Sequence, residues 1–434
     1  MDPVAYLFSL ETLGIKFGLG NIRMLCASLD HPERAYTRVL VAGTNGKGSV
    51  TVMTETALRA AGHRTARYTS PHLVRLEERF VTDGHAVATE DLKHAADAVQ
   101  RAAQSLLARG SLAHPPTFFE ATTAVAFELF RRAGVAVAVL EVGLGGRLDA
   151  TNVEPAPVTA ITNIDLDHQQ YLGHSVSAIA REKAGVIHPG TTTVLGDANP
   201  EVVEVVADVC RERGARLVRT AEVARAASEL QPDGYVRLEL STARRTYGEL
   251  RLSLRGRHQA HNALTAAVLL EELDAAGIAV PPAAVATGLT QAAWPGRLEL
   301  FAHAGRRVLL DGAHNPAGAR ALAGYLRELY PAGVPIVFAA MRDKDVPGML
   351  TALAPAAAMF VLTEVRNPRT LGADALAAFA QGVAPRVPRK TVSDPARGLD
   401  EALGMAPLVC VAGSLFLVGE LRAGMERAGG VPVV

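Results

Sequence analysis

Lysine is scarce in this chain. Only six lysines (residues 16, 47, 93, 183, 344 and 390) stand among 44 basic residues. A chain that writes Arg by default keeps Lys where the planar guanidinium fork would not serve. Cysteine is scarcer, with three in 434 residues. Cys26, Cys210 and Cys410 lie far apart in apolar or helical surroundings, which excludes a disulfide scaffold and Cys/His zinc-finger spacing, and predicts buried thiols. Neither sign of charge is in excess: 44 acidic residues match 44 basic ones, arguing against a nucleic-acid or anionic-membrane partner. No apolar run approaches the ~18 residues that cross a bilayer. The segment Met1–Leu13 carries Asp2 and Glu11 and lacks a basic n-region, so no secretory leader is read. A reducing cytoplasm is the expected compartment. No G-x-S-x-G elbow occurs, and Gly143 to Gly146 reads G-L-G-G rather than G-x-G-x-x-G, a poor dinucleotide motif.

What is present suggests two α/β domains, the natural prior at this length. Residues 3–36 read as helical, with turns at Gly18-Leu19-Gly20 and His31-Pro32. Apolar runs at Val39–Ala42, Val135–Val142 and Val158–Ile164 predict buried parallel strands, with a shorter one at Thr193–Gly196. Between them, helices are expected from Val50 to Ala61, from Thr89 (as a possible N-cap) to Leu107, and from Thr117 to Ala133. Strict alternation over Val236–Leu240 and Leu250–Leu254 predicts a small antiparallel sheet with one wet face. Helix resumes over His261–Ala276 and from Pro281-Pro282 to about Ala292. Trp294-Pro295-Gly296-Arg297 reads as a hinge (residues 294–298) between a domain of residues 1–293 and one of residues 299–434. In the second domain, strands are expected at Val308–Leu310, Pro335–Ala339, Ala358–Thr363 and Leu408–Ala412. They alternate with helices at Ala317–Tyr330, Val346–Leu353 and Leu415–Ala428. Strands alternating with helices imply mostly parallel sheets covered on both faces.

The segment Gly43-Thr44-Asn45-Gly46-Lys47-Gly48-Ser49 joins a strand to a helix start. Glycines let backbone N–H groups close around an anion, and the helix N-terminus adds partial positive charge. Lys47 suits the outer phosphates of a nucleotide, and Ser49 suits Mg²⁺. The spacing departs from G-x-x-x-x-G-K-[ST]: Val41 replaces the first glycine and Gly48 precedes Ser49. Glu141 ends a central strand, where ligands bind in open α/β sheets, and suits a metal beside the phosphates. His168 follows the next strand in Asn163-Ile164-Asp165-Leu166-Asp167-His168, and Ser70 follows the first crossover helix. Asp311 and His314 again place polar groups at a strand end. Asp311 suits ribose hydroxyls, and His314 suits a carboxylate or phosphate. Arg297 at the hinge is placed to reach a γ-phosphate. Together these residues predict a cleft between the domains.

The string Gly-Thr-Asn-Gly-Lys-Gly-Ser resembles the signature of folylpolyglutamate and dihydrofolate synthases, within the Mur-type ligases. The resemblance runs along nearly the whole chain. It includes Lys16-Phe-Gly-Leu19 with Ile22-Arg23, Thr69-Ser-Pro-His-Leu73 with Glu78-Arg79, and Thr117-Phe-Phe-Glu120. It continues through Glu141-Val-Gly-Leu-Gly-Gly-Arg-Leu-Asp-Ala-Thr-Asn152, Asp167-His168 and Glu182-Lys-Ala-Gly185. Gly256-x-His-Gln-x-x-Asn262, Trp294-Pro-Gly-Arg297, Asp311-Gly-Ala-His-Asn315, Asp343-Lys-Asp345 and Gly413-Ser414 follow in order. Two positions depart: Glu77 stands where Asn is frequent, and Asp165 where a small residue is common.

The resemblance implies a phosphate-loop ATPase domain of the Mur-ligase type with a small antiparallel sheet, followed by a Rossmann-like C-terminal domain. It implies that Gly43 to Ser49 bind ATP phosphates, that Asn262 lies near adenine, and that Arg297 and Asp311 meet phosphates and ribose. Ser49, Ser70, Glu141 and His168 would hold Mg²⁺ at two sites, with K⁺ a further expectation. Lys183 would be carbamylated, His314 would lie near the incoming amino acid, and Phe119 and Asp149 at the pterin end. Lys47, Lys183, His168, Arg297 and His314 are the expected catalytic set. Expected partners are dihydropteroate, tetrahydrofolate and L-glutamate, acting on a monomer. Only 42 residues precede Gly43, too few for the UDP-sugar-binding domain of the stem-peptide ligases. A nucleotide-driven switch is the rival outside the enzymes.

Overall fold

A computed structural model describes residues 2–14 and 16–433. Met1, Ile15 (inside the helical stretch 3–36) and Val434 (at the end of the second domain) lie outside the described residues. Three sheets organise them. The first has eight strands, in the order His85–Ala86, Phe80–Thr82, Thr65–Tyr68, Val137–Glu141, Thr37–Ala42, Val158–Ile161, Thr192–Leu195 and Arg216–Arg219. From Thr65–Tyr68 onward every pairing is parallel, and only the two short strands at the other edge are antiparallel. The centre of the sheet is the apolar run read from sequence. Val39, Leu40 and Val41 have no exposed surface, because helices cover both faces. Each such side chain contributes about 1.5–3 kcal/mol on burial.

Several sequence expectations move by a few residues at their edges, and two of these shifts shape the site. The strand predicted to run to Ile164 stops at Ile161. Residues 162–168 are thereby freed as a loop that wraps the phosphate loop. The helix predicted from Val50 begins at Lys47 and runs to Ala60. Lys47, Gly48 and Ser49 therefore form its first turn, where N–H groups have no intrahelical acceptor. Thr89 is not an N-cap. Ala88 holds that position, and the Thr89 hydroxyl donates to Glu77 Oε1 at 2.8 Å. Glu77, one of the two departures from the family pattern, is thus used to fasten that helix start.

The helix Lys47–Ala60 is buried along most of its length. It packs against Pro282–Gln291 so closely that a Cβ on Gly288 would fall 2.6 Å from the Ala57 Cβ. The small sheet is antiparallel, as expected, but has three strands, Ala224–Leu230, Val236–Thr242 and Thr246–Arg251, and the expected run Leu250–Leu254 overlaps the last only at Leu250 and Arg251, residues 252–254 lying beyond the strand. The first escaped notice because its five inner residues are all exposed and show no alternation.

The third sheet has seven strands, in the order Arg389–Thr391, Ala357–Leu362, Val334–Phe338, Leu408–Ala412, Arg306–Leu310, Glu299–His303 and Val431–Pro432. Its first five strands are parallel, and the last two pair antiparallel. Among the described residues no helix is long and apolar enough to cross a membrane. The three cysteines are buried free thiols, as the sequence suggested.

Candidate active site

The C-terminal ends of the strands Thr37–Ala42, Val137–Glu141 and Val158–Ile161 converge on one cleft of about 560 Å³. It is closed on the other side by the start of the second domain.

The phosphate loop is held from behind by the 162–165 segment. Thr44 N–H donates to the Asn163 carbonyl at 2.7 Å, and Asn45 N–H donates to Asn163 Oδ1 at 2.8 Å. The Thr162 hydroxyl donates to the Asn45 carbonyl at 2.6 Å. The N–H groups of Gly46, Lys47, Gly48 and Ser49 meet no acceptor among the described residues. They form an anion cradle with the Gly46 left-handed cap at its mouth (φ +84°). The glycines are required by contact. A Cβ on Gly43 would lie 1.9 Å from Thr162 Oγ1, one on Gly46 2.4 Å from Asn262 Oδ1, and one on Gly48 2.6 Å from the Trp294 ring.

Three cations face this cradle. Lys47 donates to the Thr44 carbonyl at 3.0 Å, and burial holds its pKa below the ordinary lysine value. Lys183 is buried and donates to the Gly43 carbonyl at 2.6 Å. Burial, with Lys47 nearby, lowers it to about 7. Arg297 makes no ion pair among the described residues and donates only to the Gly296 carbonyl, at 3.1 Å. Gly312 leaves it room, since a Cβ there would fall 2.1 Å from Arg297 Nη1.

Glu141 accepts the Ser70 N–H at 3.1 Å, and burial raises its pKa. Among the described residues no three His, Cys, Asp or Glu side chains converge into a ready cation site. The oxygen donors Glu141, Ser49 and Ser70 all line the cleft. Such a sparse set suits Mg²⁺, which keeps several waters and takes its remaining ligands from phosphate.

From the second domain, both Asp311 oxygens accept backbone amides, from Leu298 at 3.0 Å and Ala313 at 2.9 Å. His314 Nδ1 lies 2.8 Å from the Gly312 carbonyl. A carbonyl can only accept, so Nδ1 carries the proton and Nε2 presents its lone pair. Burial, then the Lys344 charge, lowers His314 to about 4, so the ring is neutral near pH 7. His168 is likewise lowered to about 4 by burial and Lys344.

All the sequence-predicted nucleotide, metal and catalytic residues line this cleft except Gly43, which lies just behind it as the acceptor for Lys183. Phe119 and Asp149 do not line it. The Phe119 ring packs under Gly143, where a Cβ would fall 2.5 Å from the ring edge. Asp149 is buried and accepts Gly143 N–H at 3.0 Å, Leu144 N–H at 2.9 Å, Thr151 N–H at 3.0 Å and the Thr151 hydroxyl at 2.5 Å. It thereby shapes the turn whose other face meets the cleft. The sequence assigns no role to Thr162 or Gln259, and marks Asn163 only as one of the polar groups at a strand end. Gln259 orients Asn262 by accepting its amide at 2.9 Å. Asp165, the second departure from the family pattern, pairs with Arg320 of the second domain at 2.7 Å.

The Mur ligase middle domain matches residues 41–270, and the Mur ligase glutamate ligase domain matches residues 296–415. The dihydrofolate synthase/folylpolyglutamate synthase of Mycobacterium tuberculosis is 38% identical over 404 residues, covering 87% of this chain and 82% of that protein. The chain belongs to the Mur ligase family, on its dihydrofolate synthase/folylpolyglutamate synthase branch. Escherichia coli FolC, solved in complex with DHPP and ADP, superposes with a TM-score of 0.88 at 31% identity, covering 99% of each chain. A bifunctional folylpolyglutamate synthase/dihydrofolate synthase solved with Mn, AMPPNP and L-glutamate superposes with a TM-score of 0.85 at 31% identity, covering 98% of each chain. The Mur-ligase α/β fold is therefore settled, and this member of the family is an ATP-dependent ligase.

Proposed function

We propose that this cleft joins L-glutamate to the carboxylate of dihydropteroate, of tetrahydrofolate (poly)glutamates, or of both, with ATP converted to ADP and phosphate. One observation carries the reading: four loop amides without an acceptor and an arginine without an ion pair among the described residues, together with two lysines, surround one cleft that two domains close. A carboxylate is a poor acyl donor because oxide is a poor leaving group. Transfer of the γ-phosphoryl group makes it an acyl phosphate, whose phosphate leaves readily. The loop amides, Lys47 and Arg297 offset the charge spread over the transferring oxygens.

Ser49, Glu141, Ser70 and His168 would hold divalent metal. That metal supplies further charge neutralisation at the phosphoryl oxygens. Asn262 and Asp311 serve adenine and ribose; Asp311 keeps lone pairs free beyond its two backbone bonds. The neutral His314 ring takes a proton at Nε2 as the glutamate amine attacks the acyl carbon, and the tetrahedral intermediate expels phosphate to leave the amide. Phe119 and Asp149 act at the pterin end through the Gly143–Leu144 turn they support.

The test is ligation by purified protein given ATP, Mg²⁺ and labelled glutamate, with dihydropteroate and tetrahydrofolate offered separately. ATP turnover strictly dependent on glutamate and one of the two acids is expected. Steady hydrolysis indifferent to both would favour a nucleotide switch and overturn the reading.

A further inference from the structure

The geometry points to Asn315 as a positioning residue that registers the second domain on the phosphate loop. Its side chain is 1% exposed and fully used. Oδ1 accepts Gly318 N–H at 2.8 Å, capping the helix Pro316–Leu329, and accepts Asn45 Nδ2 at 3.3 Å. Nδ2 donates to Asn45 Oδ1 at 3.0 Å and to Asp167 Oδ2 at 3.1 Å. Two of these bonds form a reciprocal amide pair with a residue of the phosphate loop itself. Asn45 cannot yield easily, because its N–H and carbonyl are both tied to the 162–163 segment. Asp167 is anchored in turn, with Oδ1 2.8 Å from Lys344 Nζ of the second domain.

The cap explains one of the four bonds. The other three cross between domains, and a serine would cap the helix as well. What only the amide provides is a donor and an acceptor facing Asn45 together. Asn315 also follows His314 directly, and His314 Nε2 lies 3.9 Å from Asp167 Oδ2. The seam therefore fixes the ring on one domain relative to the phosphate cradle on the other. The two-domain reaction proposed above, on which this inference rests, needs that registry: an error near 1 Å in the approach of reacting groups costs on the order of a hundredfold in rate.

Asn315→Ser keeps a capping oxygen and removes the amide donor. Its ligation kcat is expected to fall about tenfold or more, while ADP affinity stays within about twofold and the melting temperature within a few degrees. In the Asn45→Ala/Asn315→Ser double variant, the loss in kcat should not exceed the larger single loss, since one seam is broken twice. An unchanged kcat in Asn315→Ser, or losses that multiply in the double variant, would overturn the assignment. Should Asn315→Ser fail to fold, Asn315→Asp, which keeps the capping oxygen and removes the amide donor to Asn45 and Asp167, gives the same reading: unchanged kcat refutes, and a lowered kcat with ADP affinity retained supports. Ligation by the unaltered protein is measured first, so failure of the cleft reading is seen there and not charged to Asn315.

Discussion

Lys183 is the residue whose chemistry is most open to a direct test. Burial and the neighbouring Lys47 lower its pKa to about 7. Carbon dioxide adds only to a free amine. An ordinary lysine, with a pKa near 10.4, is free amine to about 0.04% at pH 7, whereas a group titrating near 7 is about half free, a gain of roughly a thousandfold. The product is a carbamate, which replaces a buried cation with an anion. Repulsion from Lys47 then becomes attraction. The carbamate nitrogen keeps one N–H, so Nζ can still donate to the Gly43 carbonyl while the new carboxylate oxygens only accept. The sign follows: the carbamate is favoured as pH rises through about 7 and is lost below it as the amine protonates. Ligation measured in carbon-dioxide-free buffer should fall and recover on adding bicarbonate, with the recovery weakening below pH 7. Lys183→Ala should be inactive and regain part of its rate with added short carboxylates. Isotopically labelled bicarbonate should give a carbamate carbon resonance in the unaltered protein and none in Lys183→Ala. Full activity without carbon dioxide, together with no such resonance, would refute this chemistry.

Gly46→Ala would force a left-handed residue and place a Cβ 2.4 Å from Asn262 Oδ1. About 1–2 kcal/mol of backbone cost plus a displaced Asn262 should weaken ADP binding at least tenfold by calorimetry, and an unchanged Kd would contradict the cradle. Trp294 is the single tryptophan and its ring lies against Gly48 of the loop, so intrinsic fluorescence should change on adding ADP with the affinity that calorimetry reports. A spectrum that stays flat through saturation would place nucleotide elsewhere. Asp149→Ala removes four hydrogen bonds to a buried carboxylate. It should cost on the order of 3 kcal/mol in urea unfolding, and a loss below about 1 kcal/mol would show the turn to be held by other contacts.

How much of this was legible in the sequence depended on sequence distance. The central strands declared themselves because a strand buried on both faces must be continuously apolar. The strand Ala224–Leu230 lacked that signal, and the helices Ala373–Val383 and Pro395–Met405 went unassigned in an alanine-rich stretch broken by glycine and proline. The individual cleft residues were visible as polar groups at strand ends. Their pairings were not, because the partners lie far apart in the chain: 270 residues for Asn45 with Asn315, 177 for Asp167 with Lys344. Asp149 shows a different limit. Its motif marked it, but only the structure reveals that its carboxylate is spent on a turn.

The scarcity of lysine turns out to be informative for a physical reason. Three of the six, Lys47, Lys183 and Lys344, gather at the domain junction, each aimed at a single oxygen: the Thr44 carbonyl, the Gly43 carbonyl and Asp167 Oδ1. A guanidinium brings five donors in a fixed plane, and in a buried site every donor left without an acceptor costs energy. Arg297 escapes that cost only where Gly312 leaves space beside it and the cleft is open to an anion. An ammonium is compact, can rotate its three donors, and can give up its proton when buried, as Lys183 must if carbon dioxide is to react there. Exchanging Lys183 for Arg would keep the charge and remove that chemistry, which separates the two roles in one substitution. If charge alone mattered, Lys183→Arg would retain ligation; if the amine is the point, it will be as inactive as Lys183→Ala.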